Sequence, residues 1–150
     1  MRYRIQYRAM GPKVVLDTNV VVSAFRSKRG ASYSILSLVG SDRFTVCLSM
    51  PLVLEYEDAL LRQLRETGLT RQDVGDVLDY LCRVGEPSRV YFRWRPHLPD
   101  AGDDMVLELA VAAGCSRIVT HNRRHFRQLR PFAVEAVNPA EFLREIGEVR

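Results

Sequence analysis

Hydrophobic positions along the chain change their period repeatedly, and each change marks an element. Val14 to Leu16 is a short apolar run with the length and β-branched character of a buried strand. Asn19 to Phe25 follows as the start of a helix, and Ala31 to Val39 has helical spacing, with Ile35, Leu36 and Val39 on one face. Gly40-Ser41-Asp42 forms a turn before a second strand at Phe44 to Leu48. Ser49, two residues before Pro51, opens a helix whose apolar face carries Leu52, Val53, Tyr56, Ala59, Leu60 and Leu64, and Gly68 ends it. Thr70, with Asp73 three residues on, is a capping-box start for a helix through Val74, Val77, Leu78 and Leu81. Gly85-Glu86-Pro87 reads as a break and Val90 to Trp94 as a third strand. After the loop Pro96 to Gly102, Asp103 or Asp104 opens a helix that Gly114 terminates. Ile118 to Thr120 is a fourth strand, Arg123 to Leu129 a short helix or turn, and Ala133 to Val137 a fifth strand. Pro139 starts a last helix, with Phe142, Leu143 and Ile146 as its stripe.

Strands alternating with helices predict an α/β domain of three layers, α/β/α, around a mainly parallel sheet. Such a sheet opens its ligand site at the carboxyl ends of its strands. The predicted domain runs from residue 13 to 150, behind a basic N-terminal arm at residues 1–12. No internal repeat or linker divides the chain.

Composition narrows the classes. The chain has 150 residues, 47% of them hydrophobic and 27% charged, which suits one ordinary globular domain. No apolar run approaches the roughly 20 residues of a membrane span, and the N-terminus lacks the apolar core of a secretion signal. Cys47, Cys82 and Cys115 are widely spaced and form no CxxC unit; they read as core or near-core residues of a protein in a reducing, cytoplasmic setting. The net charge of +4 favours a nucleic-acid partner. Arg117, Arg123, Arg124, Arg127 and Arg130, with His121 and His125, crowd one segment, and Arg26, Lys28 and Arg29 follow the first strand and its turn.

Candidate chemistry sits where strands end. Asp17, with Thr18 and Asn19, follows the first strand; as a metal ligand it would face an open polar edge, and as a helix cap it would only bind backbone. Glu55 lies near the start of its helix and at the same sheet edge, or is an ordinary solvated glutamate. Of Asp103 and Asp104, adjacent residues that point in different directions, Asp104 is expected as ligand and Asp103 as its support, against the alternative that the pair caps a helix. Thr120 and Asn122 end the fourth strand and can orient water or phosphate. Carboxylates gathered from distant segments suit Mg²⁺ or Mn²⁺ and phosphate chemistry. A zinc pair from His121 and His125 lacks the HExxH pattern. Arg123, Arg124 and Arg127 would track a phosphate backbone or form a solvated face. Tyr91 and Trp94 would stack on bases or fill a core.

Taken in order, Val15-Leu16-Asp17-Thr18-Asn19-Val20, Ser49 to Tyr56, Pro99 to Ala110, Ile118 to Asn122 and Val137 to Leu143 resemble the PIN-domain family of metal-dependent ribonucleases. The resemblance runs from Lys13 to Leu143 and is closest to the toxin components of toxin–antitoxin pairs. It implies a five-stranded parallel sheet and carboxylates at Asp17, Glu55 and Asp104 around Mg²⁺ or Mn²⁺. It also implies hydrolysis of single-stranded RNA to a 5′-phosphate and a 3′-hydroxyl, homodimer formation and an antitoxin partner. The chain departs from the family where many relatives supply an aspartate after the fourth strand: here that position is Asn122. A further acid often follows, and here His125 takes its place. Rival readings are a non-catalytic RNA-binding or regulatory module, a metal-dependent phosphatase or DNA flap nuclease with a similar carboxylate centre, and a structural partner of an antitoxin.

Overall fold

A computed structural model describes residues 11–89, 101–126 and 133–148. Its strands are β1 (Lys13–Leu16), β2 (Thr45–Leu48), β3 (Glu86–Pro87), β4 (Arg117–Val119) and β5 (Glu135–Val137). They form one sheet in the order β3-β2-β1-β4-β5, and every pairing is parallel. The helices are α1 (Thr18–Arg26), α2 (Ala31–Leu38), α3 (Met50–Arg62), α4 (Leu64–Thr67), α5 (Arg71–Val84), α6 (Ala101–Ala113) and α7 (Pro139–Glu145), with a 3-10 turn at Arg123–Phe126.

Val14 and Val15 point to opposite sides of β1, yet neither has any exposed surface. Both faces of the sheet are therefore covered by helices, which is why the central strands read as continuous apolar runs. Helix α6 packs across β1, β2 and β4. Phe44 and Phe142 meet edge to face with ring centres 5.2 Å apart, fixing α7 against the end of β2. Capping boxes at Thr70/Asp73 and Asn138/Glu141 start α5 and α7.

Three expectations are corrected. The third strand is Glu86–Pro87, the segment expected as a break, paired with Cys47 and Leu48. Two residues with one proline carry no strand pattern, and an edge position tolerates the missing N–H. Gly85 lets this strand approach: a Cβ there would lie 2.7 Å from Leu48 Cδ1 and 2.8 Å from the Leu81 carbonyl oxygen. Val90 to Trp94 lies outside the described residues. The fifth strand begins at Glu135 rather than Ala133, because Ala133 has φ of 54°, in the left-handed region that cannot extend a strand. Cys82 is exposed on α5, whereas Cys47 and Cys115 are buried as expected. Among the described residues no helix is long and apolar enough to cross a membrane.

Candidate active site

The site is built outward from Asp17. Strands β1 and β4 are neighbours, with Leu16 in register with Val119. The residues that follow them, Asp17 and Thr120, therefore emerge side by side at the carboxyl edge of the sheet. The backbone N–H of Asp17 continues the ladder by donating to the Val119 carbonyl at 2.9 Å. Asp17 also precedes α1, so its Oδ1 accepts the Thr18 N–H at 2.8 Å. Its Oδ2 accepts the Thr120 hydroxyl at 2.7 Å and the Asn19 amide at 3.3 Å. The cap reading is realised on Oδ1, while Oδ2 is held by side chains at the open edge of the sheet.

The same groups position the turn after β4. Thr120 Oγ1 accepts the Asn122 N–H at 3.0 Å, and Asn19 Oδ1 accepts the His121 N–H at 3.2 Å. Behind Asp17, the fully buried Tyr56 donates its hydroxyl to the Leu16 carbonyl at 2.5 Å. Burial first, and the Asp17 charge second, push the Tyr56 phenol well above its ordinary value of 10.0, so it remains a donor.

A cavity of about 400 Å³ opens at this edge. One wall is a row on α1, Thr18, Val22 and Arg26, spaced by four residues and joined by Asp17 and Asn19. A second row with the same spacing, Glu55, Ala59 and Gln63, comes from α3 and its end. Gly102, Asp103, Asn122 and His125 complete the lining. Carboxylates from three elements, Asp17, Glu55 and Asp103, thus share one concavity. A second, largely apolar cavity of about 300 Å³ lies elsewhere, between Phe25, Tyr33, Leu36, Tyr80 and Leu81.

Of the adjacent pair, Asp103 lines the acidic cavity and Asp104 is not among its lining residues. Asp103 is buried, and its Oδ2 lies 3.1 Å from His125 Nδ1. His121 turns elsewhere, its Nε2 3.0 Å from the hydroxyl of buried Ser32, so the two histidines form no pair. Desolvation of the His121 ring lowers its proton affinity below the ordinary 6.5, against an opposing pull from Asp17. Arg123 lies outside the cavity, with Nη1 at 3.1 Å from both Glu141 oxygens. Arg124 is exposed and also outside the lining, while Arg127, Arg130, Tyr91 and Trp94 fall outside the described residues. Arg26 and Gln63 enter the site although neither was singled out as a site residue; the four-residue rows that carry them were the available signal.

The donor set fits a hard divalent cation in kind: carboxylate oxygens with Asn122 beside them. Among the described residues, however, no three His, Cys, Asp or Glu side chains converge closely enough to form a ready-made cage. Glu55 is exposed on the α3 side of the cavity.

A family model described as a PIN domain matches residues 13–124, more than half of the chain. No curated protein matches the sequence significantly. Among solved structures, the fold is similar to a chain in the crystal structure of VapBC2 from Rickettsia felis bound to a DNA fragment from their promoter. That likeness has a TM-score of 0.57 at 15% identity and covers 84% of this chain and 98% of that one.

Proposed function

The chain belongs to the PIN-domain family, and from that premise we propose that it is an endoribonuclease dependent on Mg²⁺ or Mn²⁺ that hydrolyses phosphodiester bonds of single-stranded RNA. The observation that carries this reading is the convergence of Asp17, Glu55 and Asp103, from three elements far apart in sequence, on one cavity at the carboxyl edge of the sheet. Asp17, Glu55 and Asp103 would hold the cation, with Asp104 supporting from the next helical position. When bound, the cation supplies Lewis-acid stabilisation of charge on the phosphate and lowers the pKa of water.

The chain's own residues do the rest. Thr120 and Asn19 hold the Asp17 carboxylate in one orientation, and Tyr56 pins the peptide that carries it. Asn122 presents an amide to the cavity, able to donate to phosphate or position water. The architecture shared with a VapBC2 chain supports the further reading of a toxin component with a cognate antitoxin as partner; a cytoplasmic homodimer is proposed with it.

Asn122 and His125 line the cavity at the positions where the resemblance sets an expectation of acids, and this favours one second reading, an RNA-binding module without turnover. Purified protein should be incubated with mixed-sequence single-stranded RNA in Mg²⁺, Mn²⁺ or EDTA, beside Asp17→Asn at matched purity. Cation-dependent cleavage that Asp17→Asn abolishes supports the ribonuclease. RNA binding without cleavage in either cation supports the module instead.

A further inference from the structure

Among the described residues, the acidic cavity is lined by one guanidinium, that of Arg26, to which the proposed hydrolysis assigns no role. Arg26 is the last residue of α1 and continues the row of Thr18 and Val22, which brings it into the same wall as Asp17 and Asn19. Its situation differs from that of Arg123, which Glu141 engages through both carboxylate oxygens outside the cavity. Arg26 is exposed and holds no ion pair among the described residues, although Asp17, Glu55 and Asp103 line the same space. A cation near the last carbonyls of a helix is favourable on its own account. That role explains a charge at this helix end, but it does not require the side chain to line the cavity.

We propose that Arg26 is the phosphate-holding residue of this site. Its planar fork donates two N–H groups to the non-bridging oxygens of an RNA phosphodiester, a geometry a lysine ammonium cannot match. The carboxylates alone would repel that phosphate; the guanidinium beside them gives the strand a reason to enter. The identity of the polyanion as RNA rests on the ribonuclease reading, whereas the phosphate contact itself does not.

The test is fluorescence anisotropy of a labelled single-stranded RNA oligonucleotide in EDTA over a series of KCl concentrations, so that no turnover intervenes. Wild type, Arg26→Ala, Arg26→Lys and, as a charge-matched control on α5, Arg71→Ala are compared, with melting temperatures taken in parallel. Arg26→Ala should weaken binding about tenfold, as expected for a charge-assisted hydrogen-bonded pair at an exposed site. It should also flatten the plot of log affinity against log salt by about 0.7, the loss of one phosphate contact on a single strand. Arg26→Lys should recover the slope and only part of the affinity, and Arg71→Ala should match wild type. Equal affinity and slope in Arg26→Ala and wild type overturns the proposal. So does a lowered melting temperature without a binding change, which is the helix-end role alone, or a wild type that binds no RNA at low salt. Cleavage in Mn²⁺ separates the two readings. A wild type that does not cleave, with the Arg26 slope effect intact, removes the ribonuclease and keeps the phosphate contact. Cleavage with no effect of Arg26→Ala on binding does the opposite.

Discussion

Thr120→Val is the most direct probe of the architecture around Asp17. Thr120 has no exposed surface, and its hydroxyl both donates to Asp17 Oδ2 at 2.7 Å and accepts the Asn122 N–H at 3.0 Å. Valine keeps the shape and removes both bonds. A hydrogen bond to a charged group contributes about 1.5–3 kcal/mol. The Asn122 N–H adds little, because Asn122 is exposed and water can replace the lost acceptor. The expected destabilisation is therefore about 1.5–3 kcal/mol. Unfolding entropy of about 2.1 cal/mol/K per residue makes this a fall in melting temperature of about 5–10 °C for a chain of 150 residues.

The assay is thermal and urea unfolding in EDTA, run as a cycle with Asp17→Asn. In the Asp17→Asn background the hydroxyl meets a neutral acceptor, so the same Thr120→Val change should cost only about 1 kcal/mol. A cost within about 0.5 kcal/mol of zero in the wild-type background, or an equal cost in both backgrounds, would refute the reasoning. Either result would mean that the hydroxyl does not hold the carboxylate.

Tyr56→Phe should cost about 0.5–1.5 kcal/mol by removing the bond to the Leu16 carbonyl; it should also lower kcat more than it raises KM, since that peptide carries Asp17, and unchanged kcat in a variant of measurably lower stability counts against a positioning role. Saturation with Mn²⁺ at about a hundred times its Kd should stabilise the wild type by about 2.7 kcal/mol, roughly 9 °C in melting temperature. Asp103→Asn should remove that rise and Asp104→Asn retain it; the opposite pattern returns the ligand role to Asp104. Asn122→Asp should enlarge the rise by adding a carboxylate to the cavity wall, and an unchanged rise would show that this edge lies outside the cation's reach. His121 binds protons less readily folded than unfolded, so its stabilising contribution is full above its ordinary 6.5 and is lost as pH falls through the lower folded value. Between about pH 7 and about pH 5 the melting temperature of His121→Asn should accordingly fall less than that of wild type, and parallel curves would exclude this linkage.

Much of this was legible in the sequence because it depends on local periodicity. Val14-Val15-Leu16-Asp17 places a carboxylate at a strand end whatever the rest of the chain does. Glu55, two turns from a Ser49 cap, can only start near the same edge if β2 lies beside β1. The choice between Asp103 and Asp104 was not legible. Neighbouring helical residues point about 100° apart, and the one that faces the cavity depends on how α6 packs across β1, β2 and β4. The pairing of Arg123 with Glu141 joins residues 18 positions apart through the return of β5, which no local pattern encodes. β3 was missed because its partner in β2, rather than its own two residues, makes it a strand.

The turn after β4 is held without acids at 122 and 125, the positions where the resemblance sets an expectation of them. That turn is positioned through backbone groups: the His121 N–H on Asn19 Oδ1 and the Asn122 N–H on Thr120 Oγ1. Neither bond uses the side chain at 121 or 122. Asn19 and Thr120 both also donate to Asp17 Oδ2, so one carboxylate oxygen organises α1 and the turn together. Side chains at 122 and 125 can then vary in charge while the backbone beneath them stays fixed. Asn122 carries no charge into the lining, and Arg26 adds a positive one. A cavity with fewer negative charges attracts a cation less strongly and repels a phosphate less strongly. On the proposed function this predicts that RNA affinity in EDTA and the cation-induced rise in melting temperature are separate properties, the first reduced by Arg26→Ala and the second by Asp103→Asn; loss of both in either variant would refute that separation.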